Sequence, residues 1–76
     1  LEQRVFKLIA QAARTDEGKV NRDTEYVRDL GIVKSDMYFQ LATMLEAEFN
    51  IKINFQKLRT RTIGETVDYI QTLVPA

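Results

Sequence analysis

The chain has 76 residues, with eleven basic and eleven acidic side chains and neither histidine nor cysteine. A chain of that length holds one domain around one small core, so residues 1–76 are expected to fold as a single unit of modest stability, a few kcal/mol. The missing cysteines exclude disulfides and thiolate metal sites, and the missing histidines remove the usual general base and the commonest imidazole ligand, so neither a metal centre nor an enzyme is expected.

In chain order, Val5, Leu8, Ile9, Ala12 and Ala13, flanked by Phe6, predict a first helix over residues 2 to about 14, with Arg4, Lys7, Gln11 and Arg14 facing away. Thr15-Asp16-Glu17-Gly18 is expected to stop it. Residues 19–34 show no sustained period and read as a long loop tied to the core by Val20, Tyr26, Val27, Leu30 and Ile32. Loops longer than about 12 residues in compact domains are usually functional or carry short structure of their own. Here the loop delivers the chain to Ser35.

The best-patterned helix starts at Ser35 and runs to Phe49. Tyr38, Leu41, Ala42, Leu45 and Phe49 fall on one side, with Asp36, Gln40, Thr43 and Glu46 roughly opposite. Between Ser35 and Asn50 stand three acids (Asp36, Glu46, Glu48) and no base, which makes this the acidic element and a surface that would steer a basic partner. Ser35 has two readings, an N-cap bonded to its own backbone or an exposed hydroxyl open to esterification, and the pattern leaves both open. A nucleophilic serine would need an adjacent base, and only Lys34 stands beside it. Met37, Phe39 and Met44 lie off the centre of the buried stripe, as partial core or as an adaptable apolar docking surface.

Asn50 to Asn54 alternates polar and apolar residues and reads as an extended connector with Ile51 and Ile53 tucked in. One helical turn is expected from Phe55 to about Arg59, with Phe55 and Leu58 inward. Thr62-Ile63-Gly64-Glu65 fits a capping box that opens a last helix, whose stripe is Ile63, Val67, Ile70 and Val74 with Leu73 beside it, and which Pro75 ends. Lys57, Arg59 and Arg61 form a weak basic cluster, better read as solvated surface than as a nucleic-acid footprint.

Nearly the whole chain resembles the acyl carrier proteins. The family pattern is Asp-Leu-Gly, a short linker, Asp-Ser-Leu, then an amphipathic helix ending in acidic residues and Phe. Asp29-Leu30-Gly31 matches its first part and Leu45-Glu46-Ala47-Glu48-Phe49 its last, and counting back from Phe49 places the family's modified serine on Ser35. Glu2-Gln3-Arg4-Val5 with Leu8-Ile9 looks like the family's first helix, Tyr26-Val27 like the pair before Asp-Leu-Gly, and Val67-Asp68-Tyr69-Ile70 like its last helix. The attachment context departs from the pattern: Lys34 stands where the family has Asp, Asp36 where it has Leu, and Met37 supplies the apolar side chain one place late, after a linker one residue longer. The family is also usually acidic overall, whereas this chain is neutral, which implies more selective partnership.

The resemblance implies an all-α, acyl-carrier-like bundle of three main helices plus one short helix. It implies 4′-phosphopantetheine attached covalently to Ser35 from coenzyme A, holding acyl or related intermediates as thioesters for fatty-acid, polyketide or similar biosynthesis. Expected partners are a phosphopantetheinyl transferase and acyl-transferring or synthase enzymes, met through Asp36, Met37, Phe39, Met44, Glu46 and Glu48. Leu41, Leu45, Ile63 and Val67 are the candidate lining of an acyl pocket, and a second reading of Lys57, Arg59 and Arg61, beside solvated surface, is contact with the arm's phosphate or with a partner's acidic rim. The alternative is an unmodified interaction domain of the same fold; a helix-turn-helix nucleic-acid binder is the fainter rival. A monomer is expected. No apolar run approaches the roughly 20 residues that span a bilayer and no signal peptide opens the chain, so a cytoplasmic setting is expected. The start at Leu1 suggests trimming from a longer chain.

Overall fold

A computed structural model describes residues 1–74. Three α-helices carry the architecture: α1 (Glu2–Ala13), α2 (Ser35–Phe49) and α3 (Ile63–Leu73), with short 3₁₀ turns at Glu17–Lys19 and Phe55–Leu58. The described residues hold no strand beyond one isolated antiparallel bridge, Glu25 to Thr62. The fold is therefore all-α, as the resemblance implies.

α1 buries Val5, Phe6, Ile9 and Ala10, while Leu8, Ala12 and Ala13 sit half-buried. The apolar stripe is thus rotated from the expected one: Phe6 and Ala10 belong to the buried face, and Leu8, Ala12 and Ala13 to its edge. The helix ends close to the expected residue 14, but by another device than Gly18. Arg14 takes the left-handed conformation (φ 56°), its N–H donating to Gln11 and that of Thr15 to Ala10, so the reversal closes the last carbonyls at a non-glycine residue. Gly18 instead lies within the first 3₁₀ turn.

The long loop is pinned at Val20, Tyr26 and Ile32, all buried, with Leu30 half-buried. Val27, expected as an anchor, is 60% exposed. It sits in a hydrogen-bonded turn in which Asp29 donates its N–H to Glu25 and Gly31 its N–H to Val27, so its side chain projects to water. The Arg28 guanidinium donates to the Asp29 carboxylate, which also accepts the Glu25 N–H at 2.7 Å, and these bonds in that order hold it below the usual carboxylate range. Gly31, at φ 66°, closes the turn in a conformation that suits glycine. The front of the loop is strapped to the start of α3: the Ile63 N–H donates to Thr24 and that of Gly64 to Arg22, both at 2.9 Å. Arg22 itself bridges Glu2 on α1 and Asp68 on α3.

α3 opens with the expected capping box, Thr62 Oγ1 accepting the Glu65 N–H and the Glu65 carboxylate accepting that of Thr62. Ile63, Val67 and Ile70 are fully buried, but Val74 is the residue that follows the helix and is only half-buried. The stop expected at Pro75 lies outside the described residues. Thr66, on the same face, is also fully buried, its hydroxyl bonded to those of Tyr26 and Thr60. After α2, Asn50 (φ 54°) reverses the chain, Ile51 and Ile53 tuck in halfway, and the turn at Phe55–Leu58 packs on both α2 and α3 with Leu58 fully buried.

Candidate functional site

Ser35 is the only serine in the chain and the first residue of α2. The residue in the N-cap position is Lys34, in extended conformation (φ −84°, ψ 139°), and no side chain caps this end. Ser35 therefore does not tie down its own helix, which removes the first of its two readings. Its side chain is exposed, and one protein group approaches it: Arg59 Nη1 donates to Ser35 Oγ at 3.4 Å.

The elements that place this hydroxyl are tied together by buried contacts. Three residues into α2, the Tyr38 ring is buried, its hydroxyl donating to the Ile32 carbonyl at 2.8 Å and its edge against Tyr26 with ring centroids 5.4 Å apart. The last residues of the loop are thus tied to the first turn of the helix. The Arg59 guanidinium lies 5.5 Å from the centre of the same tyrosine ring, a cation–π contact. Burial raises the Tyr38 phenol pKa while the Arg59 charge opposes that shift.

The other candidates fall on three sides of α2. Asp36 is exposed beside Ser35. Phe39 is 61% exposed one turn on, its ring packed edge-on against the half-buried Phe55 at 5.7 Å. Met37 and Met44 are half-buried. Two of the three acids are committed within the molecule. Glu46 accepts the Ile53 N–H at 2.7 Å and so holds the connector after α2. Glu48 is paired with Arg4 of α1, whose guanidinium also stacks 4.9 Å from the Phe49 ring. Asp36 is the acid of this helix left facing water, so α2 offers fewer free carboxylates than composition suggests.

Leu41, Leu45, Ile63 and Val67 meet in one core cluster, each 0–1% exposed. Surface hollows lie elsewhere, one of about 310 Å³ along the loop near Asn21 and Arg28, and one of about 290 Å³ between Arg4, Leu8 and Glu48. Of the basic cluster, Lys57 lies over the Tyr69 ring at 5.9 Å, and Arg59 alone reaches Ser35. The sequence offered the cluster as a contact to the arm but could not single out Arg59, because the contact joins residues 24 positions apart and no local spacing encodes it. The buried Tyr26–Thr66 pair, 40 positions apart, was missed altogether, because nothing local marks Thr66 as buried.

Comparison with known proteins agrees with the resemblance. The family described as "Phosphopantetheine attachment site" matches residues 3–70. The acyl carrier protein of Chlamydia caviae is 32% identical over 73 residues, which cover 95% of this chain and 94% of that protein.

Proposed function

Because the chain belongs to the phosphopantetheine-attachment family, whose members carry covalently bound 4′-phosphopantetheine and include the acyl carrier proteins, we propose that it presents acyl or related intermediates as thioesters on an arm borne by Ser35. The single observation that carries this assignment is the free, uncapped hydroxyl of the chain's one serine at the exposed start of α2.

The residues present suit a phosphodiester at that point. The N–H groups at the start of α2 offer partial positive charge, Arg59 adds a cation beside the oxygen to be esterified, and Lys34 is its neighbour in the chain. When attached, the group supplies a thiol on a long flexible tether. The protein's own part is to hold the anchoring oxygen at a fixed, water-facing position. The Tyr38–Ile32 bond does this by fixing the loop against the helix, so that a transferase meets a preformed segment. With Lys34 and Asp36 flanking the serine, that transferase must accept a mixed-charge context.

Partner enzymes would read the outer side of α2. Asp36 and Phe39 offer an exposed charge and an exposed ring next to Ser35, and Met37 and Met44 offer half-buried, adaptable apolar contacts. Glu46 and Glu48 add to the local field but not free side chains. The cargo's thioester end would belong to fatty-acid, polyketide or similar biosynthesis, handled by a monomeric carrier in the cytoplasm. No described helix is long and apolar enough to cross a membrane.

The test is incubation with coenzyme A and a broad-specificity phosphopantetheinyl transferase. A mass gain of one phosphopantetheinyl unit, mapped by fragmentation to Ser35, is the expected result. An unchanged mass with every transferase tried, and partner binding retained, leaves an unmodified interaction domain instead.

A further inference from the structure

We propose that Arg59 is a positioning residue for the prosthetic arm: in the loaded protein its guanidinium pairs with the phosphodiester on Ser35 and biases the direction in which the arm leaves the surface. This inference rests on the attachment reading above and adds to it a residue outside the family motif.

The geometry supplies the reasons. Arg59 Nη1 is already 3.4 Å from the oxygen that would be esterified, so the phosphate's two free oxygens would form within reach of the same donor fork. A guanidinium offers two parallel N–H donors to a phosphate, where an ammonium offers a point charge. Among the described residues Arg59 makes no salt bridge with a carboxylate, so no ion pair must break before it turns to the phosphate. The other arginines with structural work are engaged: Arg4 with Glu48, Arg22 with Glu2 and Asp68, Arg28 with Glu25 and Asp29.

The backbone that carries Arg59 is held on both sides. Leu58 before it is fully buried, and the Thr60 hydroxyl after it donates to the Thr62 carbonyl at 2.8 Å. The Arg59 N–H itself closes the 3₁₀ turn on the Gln56 carbonyl at 3.3 Å. The Tyr38 ring then fixes the side chain's lower face at 5.5 Å. Lys34 is nearer in sequence but has no such support; its side chain is exposed, and nothing in the fold aims it. Exposed ion pairs are weak and screened, so Arg59 would bias the base of the arm without locking it, as suits a tether that must swing between partners.

The experiment loads wild type, Arg59→Ala and Arg59→Lys with the same arm and confirms the mass gain on Ser35 in each. The ³¹P resonance and its relaxation are then compared at low ionic strength and at about 1 M salt, where the Debye length falls to about 3 Å. The Arg59 Nε–Hε signal is followed on loading. Expected are a downfield, exchange-protected Nε–Hε signal in loaded wild type and a ³¹P signal distinct from that of Arg59→Ala. Arg59→Lys should fall between them, and the differences should collapse in high salt. Far-ultraviolet circular dichroism checks that the variants fold, as expected for an exposed side chain. Identical ³¹P shift and relaxation in loaded wild type and Arg59→Ala overturn the role of Arg59 while leaving attachment intact. Absence of any mass gain on Ser35 overturns the attachment reading and this inference with it.

Discussion

Ser35 is available because the backbone around it asks nothing of its hydroxyl. The capping position belongs to Lys34, and the turn before it is closed by Asp29 and Gly31. Ser35→Ala should therefore change stability by no more than about 0.5 kcal/mol in urea titration, while abolishing the mass gain. Tyr26 is the opposite case, a hydroxyl wholly committed to the interior. Its ring is fully buried, its hydroxyl bonds to Thr66, and burial pushes its pKa well above the tyrosine range. A pKa raised on folding means that the folded state keeps a proton the unfolded chain releases. That stability is complete below the unfolded pKa of about 10 and falls as pH rises beyond it. Alkaline titration should thus unfold the protein before Tyr26 ionises, and Tyr26→Phe should flatten the alkaline limb at a cost of about 1 kcal/mol near neutrality. Asp29 acts with the reverse sign, its depressed pKa giving a contribution present above the ordinary carboxylate range and lost on acidification.

At the scale of elements, both longer loops begin with a left-handed residue that is not glycine, Arg14 after α1 and Asn50 after α2. Asparagine tolerates that region; arginine does so at greater cost. Arg14→Gly should raise the urea midpoint by about 0.5–1 kcal/mol equivalent with no change in slope. Gly64 shows the opposite constraint at the start of α3. It is buried, and a Cβ there would lie 2.9 Å from the Arg22 carbonyl oxygen that accepts the Gly64 N–H. Helix propensity favours alanine by about 1 kcal/mol, but a backbone clash of this kind costs about 1–3 kcal/mol. Gly64→Ala should therefore lower the midpoint, and hydrogen exchange should quicken first in the strapped segment around residues 22–26. The reason that α3 could be read from sequence so closely is that its capping box is a local device, complete within four residues. The α1 end falls close to the expected residue 14, but the residue that closes it is Arg14 and not a glycine, which no local signal marks.

For the whole molecule, the question is where cargo could rest. Leu41, Leu45, Ile63 and Val67 lie in a close-packed interior, so any acyl chain that enters must part α2 from the last helix. Loading Ser35 with acyl arms of increasing length should then move the methyl resonances of those four residues progressively; unmoved resonances would mean that the cargo stays outside. Phe39 is 61% exposed and its neighbour Phe55 half-buried, the outer surface against which such a chain would otherwise lie.

By itself the sequence determined the helices and their number, the capped start of α3, the serine at the head of α2 and the family. Each of these is written in spacing or in a short motif, because a helix repeats every 3.6 residues and a cap needs only its own turn. It also marked Tyr38, Leu41, Ala42 and Leu45 as core, which they are. Only the tertiary structure decided that Val27 faces water, that Glu46 and Glu48 are held by Ile53 and Arg4, that Thr66 is buried with Tyr26, and that Arg59 alone among its basic neighbours stands at Ser35. These follow from how a long loop and a 3₁₀ turn fold back across the helices, and contacts between residues far apart in the chain leave no periodic trace in it.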